Sequence, residues 1–160
     1  MRVSVNHRTF VNERLLPGRP AHAFRFFAEF ELKRRWISCH PDWTVLEDAF
    51  DFRVGGGELT RWMMPDGAAQ SLRIHYLEIH PAQRIIYAYT METSGHPVSS
   101  SLVTIELEAR GAGSAMTYTE QAVFGSAKDG DIREGGTGMG YDRLVEVMEA
   151  MPERVPAHVP

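Results

Sequence analysis

The stretch Arg133–Leu144, REGGTGMGYDRL, sets four glycines and a threonine against the start of what reads as a helix. Two folds hang on it. As a phosphate cradle it would mark a doubly wound parallel sheet. As a lead-in to a helix it would mark something else. A dinucleotide fingerprint follows directly on a strand and opens a helix inside a βαβ unit. Here the preceding strand reads as ending at Phe124, and only PERVPAHVP follows the helix. The glycines at 136, 138 and 140 have the wrong spacing, and no lysine completes an ATPase-type Gly-Lys-Ser/Thr. The stretch is therefore read as a compact, bendable lead-in, with Thr137 a candidate cap.

Upstream, TFVNERLL (Thr9–Leu16) mixes β-branched and apolar residues before Pro17-Gly18 and reads as a strand. The period then changes. Ala23, Phe26, Phe27 and Phe30 fall at helical spacing, with Pro20 in the first turn. A break near Glu31 and a short continuation through Trp36 make this two short helices. From Trp43 on the chain reads as six strands: WTVLEDAFDF, ELTRWMM, SLRIHYLEI, RIIYAYTME, SLVTIELEA and SAMTYTEQAVF. Their connections are short turns such as Pro65-Asp66-Gly67, so an antiparallel meander is expected. GSAKDGDI reads as a polar loop. In YDRLVEVMEAM, residues Tyr141, Leu144, Val145, Met148 and Met151 make one apolar stripe. The fold class is α+β: a curved antiparallel sheet of about seven strands around a long C-terminal helix, with two short helices after the first strand.

The 160 residues suit one domain, expected over 1–151, with 152–160 a flexible tail rich in proline. At 43% hydrophobic and 24% charged, the composition is that of a globular protein. The net charge of −4 and the lack of a basic stripe argue against nucleic acid. No apolar run approaches a membrane span, and MRVSVNHRTFVNERL carries no signal-peptide block. One cysteine, Cys39, permits no intrachain disulfide, so a reducing cytoplasm is expected.

LKRRWI, FDFRVGGGEL, MPDG, YLEIHPAQRIIYAY, SSLVTIELEARGAGSAMTYTEQAVF and REGGTGMGYDRLVEVM carry a resemblance in their order and spacing. The chain resembles the helix-grip superfamily of START-like domains, polyketide cyclases and birch-pollen-allergen relatives. Within it, the chain is most similar to the family named after the C-terminal domain of the activator of the heat-shock-protein-90 ATPase. The resemblance implies a hydrophobic cavity between the long helix and the sheet. It also implies that Thr137 stands where many members carry a tryptophan, so a small residue there should widen the cavity. Chaperone activators of eukaryotes carry an additional N-terminal domain that 160 residues leave no room for, so co-chaperone activity is not expected.

Strand alternation nominates the residues facing that cavity. Met116, Tyr118 and Glu120 share one side of their strand, and Tyr87 and Tyr89 share one side of theirs. Trp62 belongs with Thr60 and Met64, although the pattern does not choose their face. With Trp36, Phe52, Thr137 and Tyr141 these form the expected ligand-binding set. Glu120 is also the candidate acid or base, with His75 its candidate partner. A carboxylate at an apolar cavity has a raised pKa unless a cation or donor pairs with it. Glu120→Gln is then expected to leave folding intact and alter ligand selectivity or turnover. No metal site or cofactor is expected: Cys39-His40 has no second spaced pair, and His75 and His80 point to opposite faces of a regular strand. The expected function is binding of a small hydrophobic or amphiphilic molecule. The alternatives are a cyclase- or hydrolase-like enzyme using Glu120 and a protein-interaction or stress-response module. A homodimer remains open.

Overall fold

The computed structural model describes residues 4–37 and 41–154. In chain order the elements are β1 (Asn6–Leu16), α1 (Pro20–Ala28), α2 (Phe30–Trp36), β2 (Thr44–Phe50), β3 (Gly57–Met63), β4 (Ala69–His80), β5 (Arg84–Thr93), β6 (His96–Arg110), β7 (Gly113–Phe124) and α3 (Ala127–Ala150). The seven strands form one antiparallel sheet in the order β1-β7-β6-β5-β4-β3-β2. Strands β2 to β7 are the expected meander. β1 pairs with β7, so α1 and α2 carry the chain from one sheet edge to the other. That passage is why two helices stand between the first two strands.

The strands alternate as period-2 side chains must. On β7, Ser114, Met116, Tyr118, Glu120, Ala122 and Phe124 are buried, and on β6 Val103, Ile105 and Leu107 are. This inner face packs against Phe26, Phe27, Trp36, Tyr141, Leu144 and Met148 from the helices, making one core. Register shifts at Val45/Glu47, Tyr76/Glu78 and Met91/Glu92 are the irregularities that bend a sheet around a helix. At Gly57 a Cβ would lie 2.0 Å from the Ile74 carbonyl oxygen, so the β3–β4 approach admits only glycine.

The last helix departs from the sequence reading. It begins at Ala127, and the glycine stretch lies inside its 24 residues. Its cap is Ser126, whose side chain accepts from the Asp129 amide at 3.1 Å, and Thr137 sits mid-helix. Each interior glycine disfavours helix by roughly 1 kcal/mol, but the helix is fastened from outside. Arg8 pairs with Asp131 at 2.8 Å, and Arg14 with Asp142 at 3.0 Å. Arg14 also donates to the Gly138 carbonyl at 3.1 Å. At Gly130 a Cβ would lie 2.9 Å from the Arg8 guanidinium, so the glycine leaves room for that side chain to lie across the helix.

Two smaller boundaries also move. The break between α1 and α2 falls at Glu29, which is extended (φ −102°, ψ 124°), two residues before the expected Glu31. β1 starts at Asn6 instead of Thr9. The expected tail is partly described: Glu153 is tied to Arg19 by an ion pair of 2.9 Å and by the Arg19 amide at 3.2 Å. Residues 155–160, like the Cys39-His40 pair, lie outside the described residues.

A cavity between the last helix and the sheet

Curvature leaves a cavity of about 560 Å³ between α2, α3 and the inner face of β3, β4 and β5. Its wall is largely aromatic. Phe52, Tyr76, Tyr87 and Tyr89 form a chain of ring contacts at 4.8, 6.0 and 5.9 Å along the sheet. Tyr141 on α3 meets Trp36 at 5.4 Å and Tyr118 at 5.1 Å. Trp36 is held in place by its indole N–H, which donates to the Phe26 carbonyl at 2.8 Å. Trp62 lines the cavity because Glu58, Thr60 and Trp62 are the inward set of β3. Thr137 lines it from α3, with Gly136 beside it and Gly140 about one turn further on leaving open space. The strong burial of the tyrosines pushes all five phenols, Tyr76, Tyr87, Tyr89, Tyr118 and Tyr141, above their ordinary value. They stand as neutral hydrogen-bonding groups on apolar bodies.

Two polar centres interrupt this wall. In the first, Glu120 is 0% exposed and accepts four hydrogen bonds. Its Oε1 takes Tyr89 Oη at 2.5 Å, Ser101 Oγ at 2.6 Å and Arg133 Nη1 at 3.0 Å, and its Oε2 takes Tyr118 Oη at 2.6 Å. Register explains the convergence: Tyr89 pairs with Ser101 across β5–β6, and Glu120 sits diagonally from Ser101 on β7. Arg133 comes down from α3 with its side chain only 9% exposed. It also donates to Tyr89 Oη at 2.5 Å, to Ser99 Oγ at 2.7 Å and to the Met91 sulfur at 3.2 Å. Its guanidinium lies 5.0 Å from the Tyr89 ring and 5.4 Å from that of Phe124. Burial opposes the arginine's charge, and the facing Tyr89 and Glu120 overcome it, so its pKa is raised.

This centre corrects the sequence reading in two respects. Glu120 and Met116 lie on the inner face but behind the cavity wall, and Arg133, Tyr89 and Tyr118 stand between the carboxylate and the open volume. The cation and donors that pair with Glu120 fill both of its oxygens, so it anchors the wall. His75 is exposed on the side of β4 opposite Ile74 and Tyr76, and it makes no contact with Glu120. The partner is Arg133, which the sequence reading left at the head of the glycine lead-in to the last helix.

The second centre was missed altogether. On α2, Lys33 is buried and donates to the Glu58 carboxylate of β3 and to Tyr76 Oη of β4 at 3.3 Å. Tyr76 donates to the same carboxylate oxygen. All three residues line the cavity. Burial pulls the Lys33 ammonium below the usual lysine value, more strongly than Glu58 pulls it back. The signal was available: Lys33 falls in the apolar register of α2 with Leu32 and Trp36, and Glu58 shares its face with Thr60 and Trp62.

Among the described residues no group of three or more His, Cys, Asp or Glu is placed to hold a metal ion. No helix among them is long and apolar enough to cross a membrane.

A curved antiparallel sheet gripping a long C-terminal helix over an apolar cavity defines a helix-grip, START-like protein. The family described as activator of Hsp90 ATPase homolog 1-like protein matches residues 18–149, and the chain belongs to it. It is similar to a solved protein of Rhizobium leguminosarum, with 40% identity and TM-score 0.85 over 92% of this chain and 97% of that one. It is also similar to the Mll3558 protein of Rhizobium loti, with 38% identity and TM-score 0.83 over 90% and 99%. DynU16, a protein of the dynemicin biosynthetic locus, shares the fold at 11% identity and TM-score 0.68, over 90% of this chain and 48% of that one. None of the curated proteins compared shows a significant match.

Proposed function

We propose that this protein binds a small, largely aromatic molecule in the cavity between α2, α3 and the sheet. The observation that carries the reading is the cavity: about 560 Å³, walled by rings, with polar groups at two places. Pockets for small ligands span roughly 300–1,000 Å³ and have this composition. Burial of apolar surface supplies affinity, and the Tyr89–Arg133 and Tyr76–Lys33 groups orient the ligand. Four cations line the wall, and three of them have carboxylate partners, Lys33 with Glu58, Arg34 with Asp48 and Arg133 with Glu120, while Arg143 donates to the Trp36 carbonyl at 3.0 Å. That pairing favours a ligand without net charge, because a charged group would have to displace an existing partner.

Glu120 serves this function as a positioning residue, holding Arg133 and the tyrosine hydroxyls in place. Its shielding counts against the alternative in which it acts on a substrate as acid or base. Native mass spectrometry with 2-naphthol, 2-naphthoate and naphthalene tests the proposal. A one-to-one complex with naphthol, and weaker binding of the anion, is expected. Bare protein in all three mixtures would overturn it.

A further inference from the structure

We propose that Lys33 captures an aldehyde or ketone in the cavity as an imine, with Glu58 and Tyr76 handling the protons. The inference rests on the binding reading above and adds a reaction at the second polar centre.

The chain carries fifteen arginines and only two lysines, Lys33 and Lys128. Lys128 is exposed at the start of α3, whereas Lys33 is buried in the cavity wall. The next two residues of α2 are Arg34 and Arg35. Among the described residues, the other ion pairs formed by a lysine or arginine all use arginine, as in the pairs of Arg8, Arg14, Arg19, Arg25 and Arg133. Arginine also suits a buried pair better, since its fork meets a carboxylate at two points. What lysine offers and arginine does not is an amine that can lose its proton and attack carbon.

The surroundings suit that chemistry. The Lys33 nitrogen lies 5.8 Å from the centre of the Phe50 ring and 5.9 Å from that of Tyr76. Among the described residues its hydrogen-bond partners are Glu58 and Tyr76, leaving one of three N–H bonds without a protein acceptor. Burial and the neighbouring Arg34 charge both favour the neutral amine, and Glu58 is in place to take the proton.

The steps balance without an oxidant or co-reactant. Lys33 passes a proton to Glu58. Its nitrogen lone pair then forms a C–N bond to the carbonyl carbon, and the carbonyl π electrons move to oxygen. That oxygen takes a proton from Tyr76, which is reprotonated by Glu58. Glu58 next removes a second N–H proton, giving the neutral carbinolamine. Returned through Tyr76, this proton reaches the hydroxyl, the C–O bond breaks, water leaves and the nitrogen lone pair closes the C=N bond. The net change is ammonium plus carbonyl to protonated imine plus water, with Glu58 and Tyr76 restored.

The test uses 2-naphthaldehyde and sodium cyanoborohydride on the folded protein, followed by intact mass and peptide mapping. One naphthylmethyl group on Lys33 is expected, formed ahead of any on Lys128, because the cavity holds the aldehyde beside the Lys33 amine and burial favours the amine's neutral form. Lys33→Arg should lose it. The paired Lys33→Met with Glu58→Gln removes both charges together and serves if the single variant fails to fold. Occupancy is read separately, without reductant, by saturable quenching of Trp36, Trp43 and Trp62, which are all the tryptophans of the chain and all line the cavity. Saturable quenching with no adduct, or with adducts confined to Lys128 and the chain's α-amine, overturns the imine and leaves the binding reading standing. Absence of both quenching and adduct overturns the two together.

Discussion

Glu120→Gln is the substitution that most sharply separates an anchor from a reacting group. The amide keeps the shape of the side chain, so no void is created. What changes is charge and one pair of donors. Three donors converge on Oε1, so the amide oxygen must take that position and the NH₂ must face Tyr118. The Tyr118 hydroxyl can turn to accept. Arg133 cannot adapt in this way: its side chain is 9% exposed and its carboxylate partner is gone. Removing one member of a buried ion pair costs about 3–5 kcal/mol. Arg133 keeps Tyr89 Oη, Ser99 Oγ and two ring faces, which puts the expectation at the lower end, about 3 kcal/mol. Urea unfolding followed by circular dichroism measures this. Adding Arg133→Met removes the stranded cation and should recover most of the loss, to within about 1.5 kcal/mol of the parent. A single-variant loss below about 1 kcal/mol, the size of one ordinary hydrogen bond, would refute the ion-pair account. So would a double variant less stable than the single one.

Further expectations follow from the same geometry. All five tyrosines have folded pKa values above the ordinary 10.0, so the unfolded chain loses phenolic protons first. Their contribution is complete below pH 10 and is lost as pH rises toward the folded values. Absorbance at tyrosinate wavelengths should stay flat above that pH until the protein unfolds, and a smooth titration of the folded state would contradict it. Thr137→Trp places a large ring at the cavity wall and should weaken ligand binding at least roughly ten-fold with the far-ultraviolet spectrum unchanged, as checked by titration with 2-naphthol. Gly135→Ala meets open space on α3 and should stabilise by about 0.5–1 kcal/mol in thermal unfolding. Ser126→Ala removes the cap of α3 and should cost about 1 kcal/mol.

Much of the fold was legible because strands declare themselves by alternation. Met116, Tyr118 and Glu120 were correctly placed on one face, and the short turns fixed the antiparallel order. The start of α3 was not read, because helix propensity weighs glycine heavily and has no knowledge of Arg8 and Arg14 reaching across from β1. Ser126 followed three residues later by Asp129 is a capping pattern that could have outweighed the glycines. That one boundary concealed Arg133, and with it the true partner of Glu120. His75 could have been excluded from the alternation of Ile74 and Tyr76. Local period could have put Lys33 and Glu58 each on an inner face, but their meeting depends on the crossing of α2 over β3 and β4, which no local period encodes.

The central claim is that the space beneath α3 is a binding site. The most direct measurement is the quenching of tryptophan fluorescence by 2-naphthol in the parent protein and in Thr137→Trp/Trp43→Phe, which keeps the tryptophan count constant. The account predicts saturable one-to-one quenching in the parent and its loss in the variant with the fold retained. Linear, non-saturating quenching that is the same in both proteins would show that the cavity takes no ligand of this class and would contradict the account.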